Sequence, residues 1–230
     1  MKQTMLHSWN VTPAEALQIQ KELSRRVVIE GGPGNISVIA GVDCAFSRDD
    51  NTGYCAIILF SFPDLTIIEE QYHHGDIPFP YVPGLLSFRE GPLILETYKK
   101  LTRKPDCIIF DGQGIAHPRR FGIAAHMGLW LDVPAIGCAK SRLYGSHDDP
   151  GSTSGSSSPL SDKNGEQIGI VFRTRDNVKP VYISPGHRVG FESAQIIISR
   201  CTGKYRIPVP TRIADIKVGE YKRSLISNID

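Results

Sequence analysis

No stretch of the chain approaches the ~18 apolar residues that a membrane-spanning helix requires, so no span is expected. A dominant charge is missing too. Lys and Arg number 26 against 24 Asp and Glu, a formal net charge of +2, so no global basic field announces nucleic acid. Any such binding must come from local clusters. Cysteine is sparse: Cys44, Cys55, Cys107, Cys138 and Cys201 make an odd set of five with no CxxC pair and no Cys/His metal spacing. They lie mostly in apolar, strand-like runs and read as reduced core thiols of a soluble cytoplasmic protein. There is no GxSxG, HExxH or GxGxxG, so serine-nucleophile, zinc and nucleotide-cofactor chemistry find no support. Internal repeats are absent as well.

What is present is a chain of 230 residues, long enough for one domain with a sizeable core. Its centre is the stretch from Cys107 to Gly145. Cys107 to Phe110 is an unbroken apolar run that predicts a buried strand, with Asp111 at its carboxyl end. Ligands of open α/β sheets bind outside such strand ends. Gly112 and Gly114 permit close backbone approach, and His117, Arg119 and Arg120 offer donors suited to phosphate. Ile123 to Leu131 has helical apolar spacing, and 133–139 predicts the next strand, delivering Lys140.

Ahead of this unit, Thr12-Pro13-Ala14-Glu15 predicts a capped helix running to about Arg26. Residues 37–46, 54–60 and 65–72 then predict an antiparallel meander, with turns at 49–53 and Pro63-Asp64 and the third strand at an edge. Asp43 is the one charged residue of the first strand. It is either a cation or hydrogen-bond site, or an aspartate at a strand end bonding to the next turn. The stretch 73–92 reads as a proline-rich loop in which Pro80-Tyr81-Val82-Pro83-Gly84 forms a stiff projection. That projection is either a wedge for a base stack or a cover for the core. A helix begins at Leu86, with Glu90 in its first turn. Beyond the centre, 146–164 reads as a flexible Ser/Gly-rich surface insertion within a single domain spanning residues 1–230. A strand pair at 167–174 and 180–184, a helix from about Phe191 to Cys201, and a last helix capped by Thr211 complete the chain.

Three antiparallel strands, a helix, a fourth strand, a helix and a fifth strand give the expected fold class: α/β, a ribonuclease H-like mixed sheet flanked by helices. In that arrangement the first and fourth strands are parallel neighbours, so Asp43 and Asp111 meet at the sheet centre. An all-oxygen site of this kind suits Mg²⁺, with Mn²⁺ able to substitute. Glu90 and Asp215, from helix starts, could complete it. Lys140 would neutralise a scissile phosphate; its plain structural alternative is a solvated lysine, and that of His117 a loop-capping imidazole.

The segments Val42-Asp43, PYVPGLLSFREGP (80–92), FDGQGIAHPRRFGIAAHMGL (110–129), DVPAIGCAKSRL (132–143), GHRV (186–189) and PTRIAD (210–215) resemble the motif series of the endonuclease V family. The resemblance implies a Mg²⁺-dependent deoxyinosine 3′ endonuclease that nicks the second phosphodiester bond 3′ to hypoxanthine and so initiates DNA repair. It implies that Asp43, Glu90, Asp111 and Asp215 form the acidic metal site. It further implies that Tyr81 with Pro80 and Pro83 separates strands, and that Gly84, Gly112 and Gly122 line the base pocket. Lys140 and His117 match positions affecting catalysis and substrate contact, and Val82, Leu86, Arg119 and His187 join the expected substrate-binding set. DNA containing deoxyinosine is the expected partner. Inosine-containing RNA cleavage and non-catalytic lesion binding are the alternatives, and a monomer is expected.

Overall fold

Every residue of Gly53–Phe60 is buried, and this is what makes the sheet a middle layer rather than a lid. Along β2 (Thr52–Ser61), Tyr54, Ala56, Ile58 and Phe60 face one core while Cys55, Ile57 and Leu59 face another. A strand apolar on both faces needs helices on both sides. The computed structural model describes residues 5–47 and 50–227. Asp49, part of an expected turn, lies outside the described residues.

The other strands are β1 (Val38–Phe46), β3 (Ile67–Asp76), β4 (Cys107–Phe110), β5 (Ala135–Ala139), β6 (Ser157–Ser161), β7 (Gln167–Phe172) and β8 (Val181–His187). They form one sheet in the order β3-β2-β1-β4-β5-β8-β7-β6. β1, β2 and β3 are antiparallel, whereas β1–β4 and β4–β5 are parallel, which is the ribonuclease H-like order. One face packs on α2 (Leu86–Lys99) and α3 (Ile123–Leu131), the other on α4 (Phe191–Thr202) and α5 (Val209–Ile226). α1 (Pro13–Leu23) opens with the expected capping box: Thr12 N–H donates to Glu15 Oε2 at 2.7 Å, and Glu15 N–H to Thr12 Oγ1 at 3.3 Å.

Local expectations change in four places. β3 runs on through Asp76 because His73–Asp76, expected in the loop, pair with Thr52–Cys55. Within the serine-rich segment, Ser157–Ser161 forms β6 at the sheet edge, with Ser158 and Leu160 turned inward. Pro159, which lacks an N–H, is tolerated on an edge strand. Glu90 and Asp215 lie beyond the first turns of α2 and α5. Thr211 is not the cap of α5, which begins at Val209 behind Pro208; its hydroxyl donates back to the Pro208 carbonyl at 3.2 Å.

Candidate active site

Val42 pairs with Phe110 across the parallel β1–β4 ladder, so the next residues, Asp43 and Asp111, are neighbours at the sheet centre. α5 reaches them because residue 41 is glycine. A Cβ there would stand 2.1 Å from the Pro210 carbonyl oxygen, so a side chain would lift the first turn of α5 off β1 and carry Asp215 away. Glu90 arrives from the opposite face on α2.

The result is a concentration of negative charge. Burial, followed by the charges of Asp215 and Asp111, raises the Asp43 carboxyl to about 7. Burial and the charges of Asp43 and Asp111 raise Glu90 to about 8. Lys140 answers part of this, with Nζ 2.5 Å from Asp111 Oδ2. Burial pulls the Lys140 ammonium down, but its bond to Asp111 and the charges of Asp111, Asp215 and Asp43 outweigh that and raise it. One ammonium does not neutralise four carboxylates. Among the described residues, no three His, Cys, Asp or Glu side chains stand close enough, as placed, to ligate one ion. The donor chemistry nonetheless fits a hard divalent cation, because every donor is oxygen and the acids are left in mutual repulsion.

Beside the acids lies a cavity of about 420 Å³. Tyr81, Val82, Pro83, Gly84 and Leu86 border it on one side, and Asp111, Gly112, His117, Gly122 and Lys140 on the other. Tyr81 is 71% exposed, a bare aromatic projection at the rim. Gly84 holds the turn beneath it at φ +79°, a conformation that favours glycine. Its carbonyl accepts from three side chains: Gln20 Nε2 at 2.9 Å, His117 Nε2 at 3.0 Å and Arg119 Nη2 at 3.0 Å.

Those bonds engage two side chains expected at phosphate. His117 carries its proton on Nε2 for Gly84, and its Nδ1 accepts from the Arg119 N–H at 3.2 Å. Burial, then the Arg119 charge, depresses it to about 4, so it is a neutral donor that secures the projecting loop. Arg119 also donates through Nε to Gln20 Oε1 at 2.5 Å. Arg120 pairs with Asp162 at 2.8 Å and Glu166 at 2.7 Å, which fastens the β6–β7 hairpin to this loop.

Three expected contacts fall outside the cavity lining: Arg119, turned to Gln20 and the Gly84 carbonyl, Pro80 and His187. Pro80 is exposed beyond it. His187 stands at the other end of the sheet, since it pairs with Ala135 at the start of β5 whereas Lys140 follows the end of that strand. There its Nδ1 accepts from the Val28 N–H at 3.3 Å, and its Nε2 faces Asp132 at 3.7 Å. Sequence reasoning missed Gln20, which lies on α1 far from any motif and is 1% exposed. It also missed Gln113, although that residue sits inside the FDGQG run.

The strand order and its acidic centre place the chain among the ribonuclease H-like proteins. The family model for endonuclease V matches residues 21–216. Endonuclease V of Kosmotoga olearia is 49% identical over 216 residues, covering 94% of this chain and 95% of that protein. The crystal structure of endonuclease V from Streptomyces avermitilis is similar at a TM-score of 0.90, with 37% identity and 97% of each chain covered. Ciona intestinalis endonuclease V, in complex with a 24mer DNA containing an inosine followed by a ribo-adenosine, shares the fold at 22% identity and a TM-score of 0.81, covering 92% of this chain and 98% of that one. The chain belongs to the endonuclease V family, and it is a nuclease.

Proposed function

We propose that this chain is a Mg²⁺-dependent endonuclease that recognises deaminated adenine, as inosine, in DNA and hydrolyses the second phosphodiester bond 3′ to it, initiating repair. The observation that carries the reading is the junction of Asp43, Glu90, Asp111 and Asp215 with a cavity of about 420 Å³, roomy enough for a base, bordered by an exposed tyrosine. The inosine complex of the Ciona relative supports the choice of lesion.

Asp43, Glu90, Asp111 and Asp215 would hold the cation, which when bound offsets phosphate charge and makes water more acidic. Lys140 sets an ammonium beside Asp111, where it stabilises negative charge developing on a phosphate oxygen. Tyr81 offers a ring to the gap left when a base leaves the stack, and the cavity receives that base. A mispaired inosine costs less to extrude than a matched base.

A labelled duplex carrying one inosine, incubated with Mg²⁺ or EDTA beside the Asp111→Ala variant, tests the proposal. A single metal-dependent nick at the second phosphodiester bond 3′ of the lesion, absent in the variant, is expected. Binding without a nick under every metal would make the chain a recognition protein. A nick confined to a matched RNA would reassign the substrate.

A further inference from the structure

We infer that Arg206 is a positioning residue for this cleavage: its guanidinium fastens the main chain of Lys140 to the segment that leads into the helix carrying Asp215. The inference rests on the proposed phosphodiester hydrolysis and adds a residue that acts through another.

Lys140 has a placement problem. It follows the last residue of β5, so the sheet does not fix it, and its side chain is 45% exposed, so packing does not either. The ion pair with Asp111 holds the ammonium at its tip, and a flexible four-carbon stem keeps that geometry only if its backbone is fixed as well. Arg206 supplies what the strand no longer does. Its Nη2 donates to the Lys140 carbonyl at 2.6 Å and to the Pro180 carbonyl at 2.9 Å, and its Nε donates to the Lys179 carbonyl at 2.8 Å. From the other side Gln113 Nε2 donates to the Ser141 carbonyl at 3.1 Å, so consecutive carbonyls are held by two side chains.

The clamp is itself anchored. The Arg206 carbonyl accepts from Thr174 Oγ1 at 2.8 Å, and Thr174 is buried. Next to it, the Arg212 guanidinium of α5 lies over the Tyr205 ring at 4.0 Å, which ties the linker to the helix. Three segments therefore meet at one planar cation: the end of β5, the turn before β8 and the approach to α5. Lys140 follows the first, and the last leads into α5, which carries Asp215; the two charges act on each other. Lysine could not replace this arrangement, because a single ammonium does not reproduce donors set on two separate nitrogens of a rigid fork.

The experiment uses the full chain and an inosine duplex. Single-turnover rates are measured in Mg²⁺, and affinity and its salt dependence in Ca²⁺, for the wild type, Arg206→Ala, Arg206→Lys, Lys140→Ala and the Arg206→Ala/Lys140→Ala double variant. Arg206→Ala is expected to slow the single-turnover step by about tenfold to a hundredfold, the scale of a misplaced group. Affinity and its salt slope should stay at wild-type values, and Arg206→Lys should not restore the rate. In the Lys140→Ala background the Arg206 change should cost nothing further. Amide exchange at 140–142, read without substrate, should quicken in both Arg206 variants. Additive losses in the double variant, an unaltered rate or unaltered exchange would each overturn the inference. So would weaker affinity with a slope shallower by about one, the mark of a direct phosphate contact. A wild type that cleaves while Arg206→Ala matches it removes this inference alone; a wild type inert on every inosine substrate removes the proposed function with it.

Discussion

Asp106 and Asp111 bracket the same short strand, one before β4 and one after it, and their surroundings could hardly differ more. Asp106 Oδ2 accepts from the Ser37 N–H at 2.8 Å, the Ser37 hydroxyl at 3.0 Å and the Val38 N–H at 2.9 Å. Burial pushes its carboxyl up, but those donors prevail and hold it below the ordinary range. Asp111 instead shares its end of the sheet with three more acids and a lysine. A carboxylate given enough donors tethers the chain. Carboxylates gathered against their own repulsion are costly without a cation, and on the proposed function that separates the structural end of this sheet from the chemical one.

The sharpest way to break the comparison is to neutralise each aspartate in turn. Asp111→Asn should reduce inosine-directed cleavage by about a thousandfold or more, while the melting temperature holds or rises because repulsion is relieved. Asp106→Asn should keep the cleavage rate and lose about 1–3 kcal/mol of stability by denaturant unfolding, since a charged acceptor is removed from three donors. A stability loss at Asp111 with none at Asp106 would reverse the assignment. At the rim, Tyr81→Ala should leave melting unchanged but slow cleavage in a duplex by about tenfold or more, with little effect on a single strand, where no stack needs opening.

Acidity divides the two ends in opposite senses. Asp43 and Glu90, raised to about 7 and about 8, keep protons in the folded chain that the unfolded chain gives up. Their contribution is intact below the unfolded carboxyl range and is lost as pH climbs through 7 to 8. The depressed carboxyl of Asp106 contributes above that range and fades as pH falls through its folded value. Melts in EDTA should therefore decline from mildly acidic pH toward pH 8, Asp43→Asn should flatten the decline, and added Mg²⁺ should stabilise increasingly with pH. The smallest effect is expected at His187, where substitution by glutamine should lower melting slightly and leave cleavage unaltered; a large loss of rate would return that residue to the substrate-binding set.

Local pattern carried much of this molecule. The apolar run Cys107–Phe110 and the helix Ile123–Leu131 have the bounds the sequence predicts, because each is specified by its own periodicity. The pairing of β1 with β4 follows from element order, so the meeting of Asp43 with Asp111 was legible as well. What composition concealed was β6, whose serines read as part of a flexible surface insertion although Ser158 and Leu160 alternate inward. Long-range partners were the other blind spot. His117 and Arg119 have the chemistry of phosphate ligands, and only the folded chain turns them to the Gly84 carbonyl. Likewise, the position of His187 depends on the antiparallel sense of β8, which a lone GHRV run does not encode.

The threefold bonding of the Gly84 carbonyl joins α1, the loop after β4 and the projecting tip at one oxygen atom. The tip's shape is thus settled when the chain folds, and little conformational entropy remains to be lost there when a ligand arrives. Tyr81 stands on a stiff mount rather than a tether, so on the proposed function the energy of its contacts would go to prising a helix open instead of to ordering the tool.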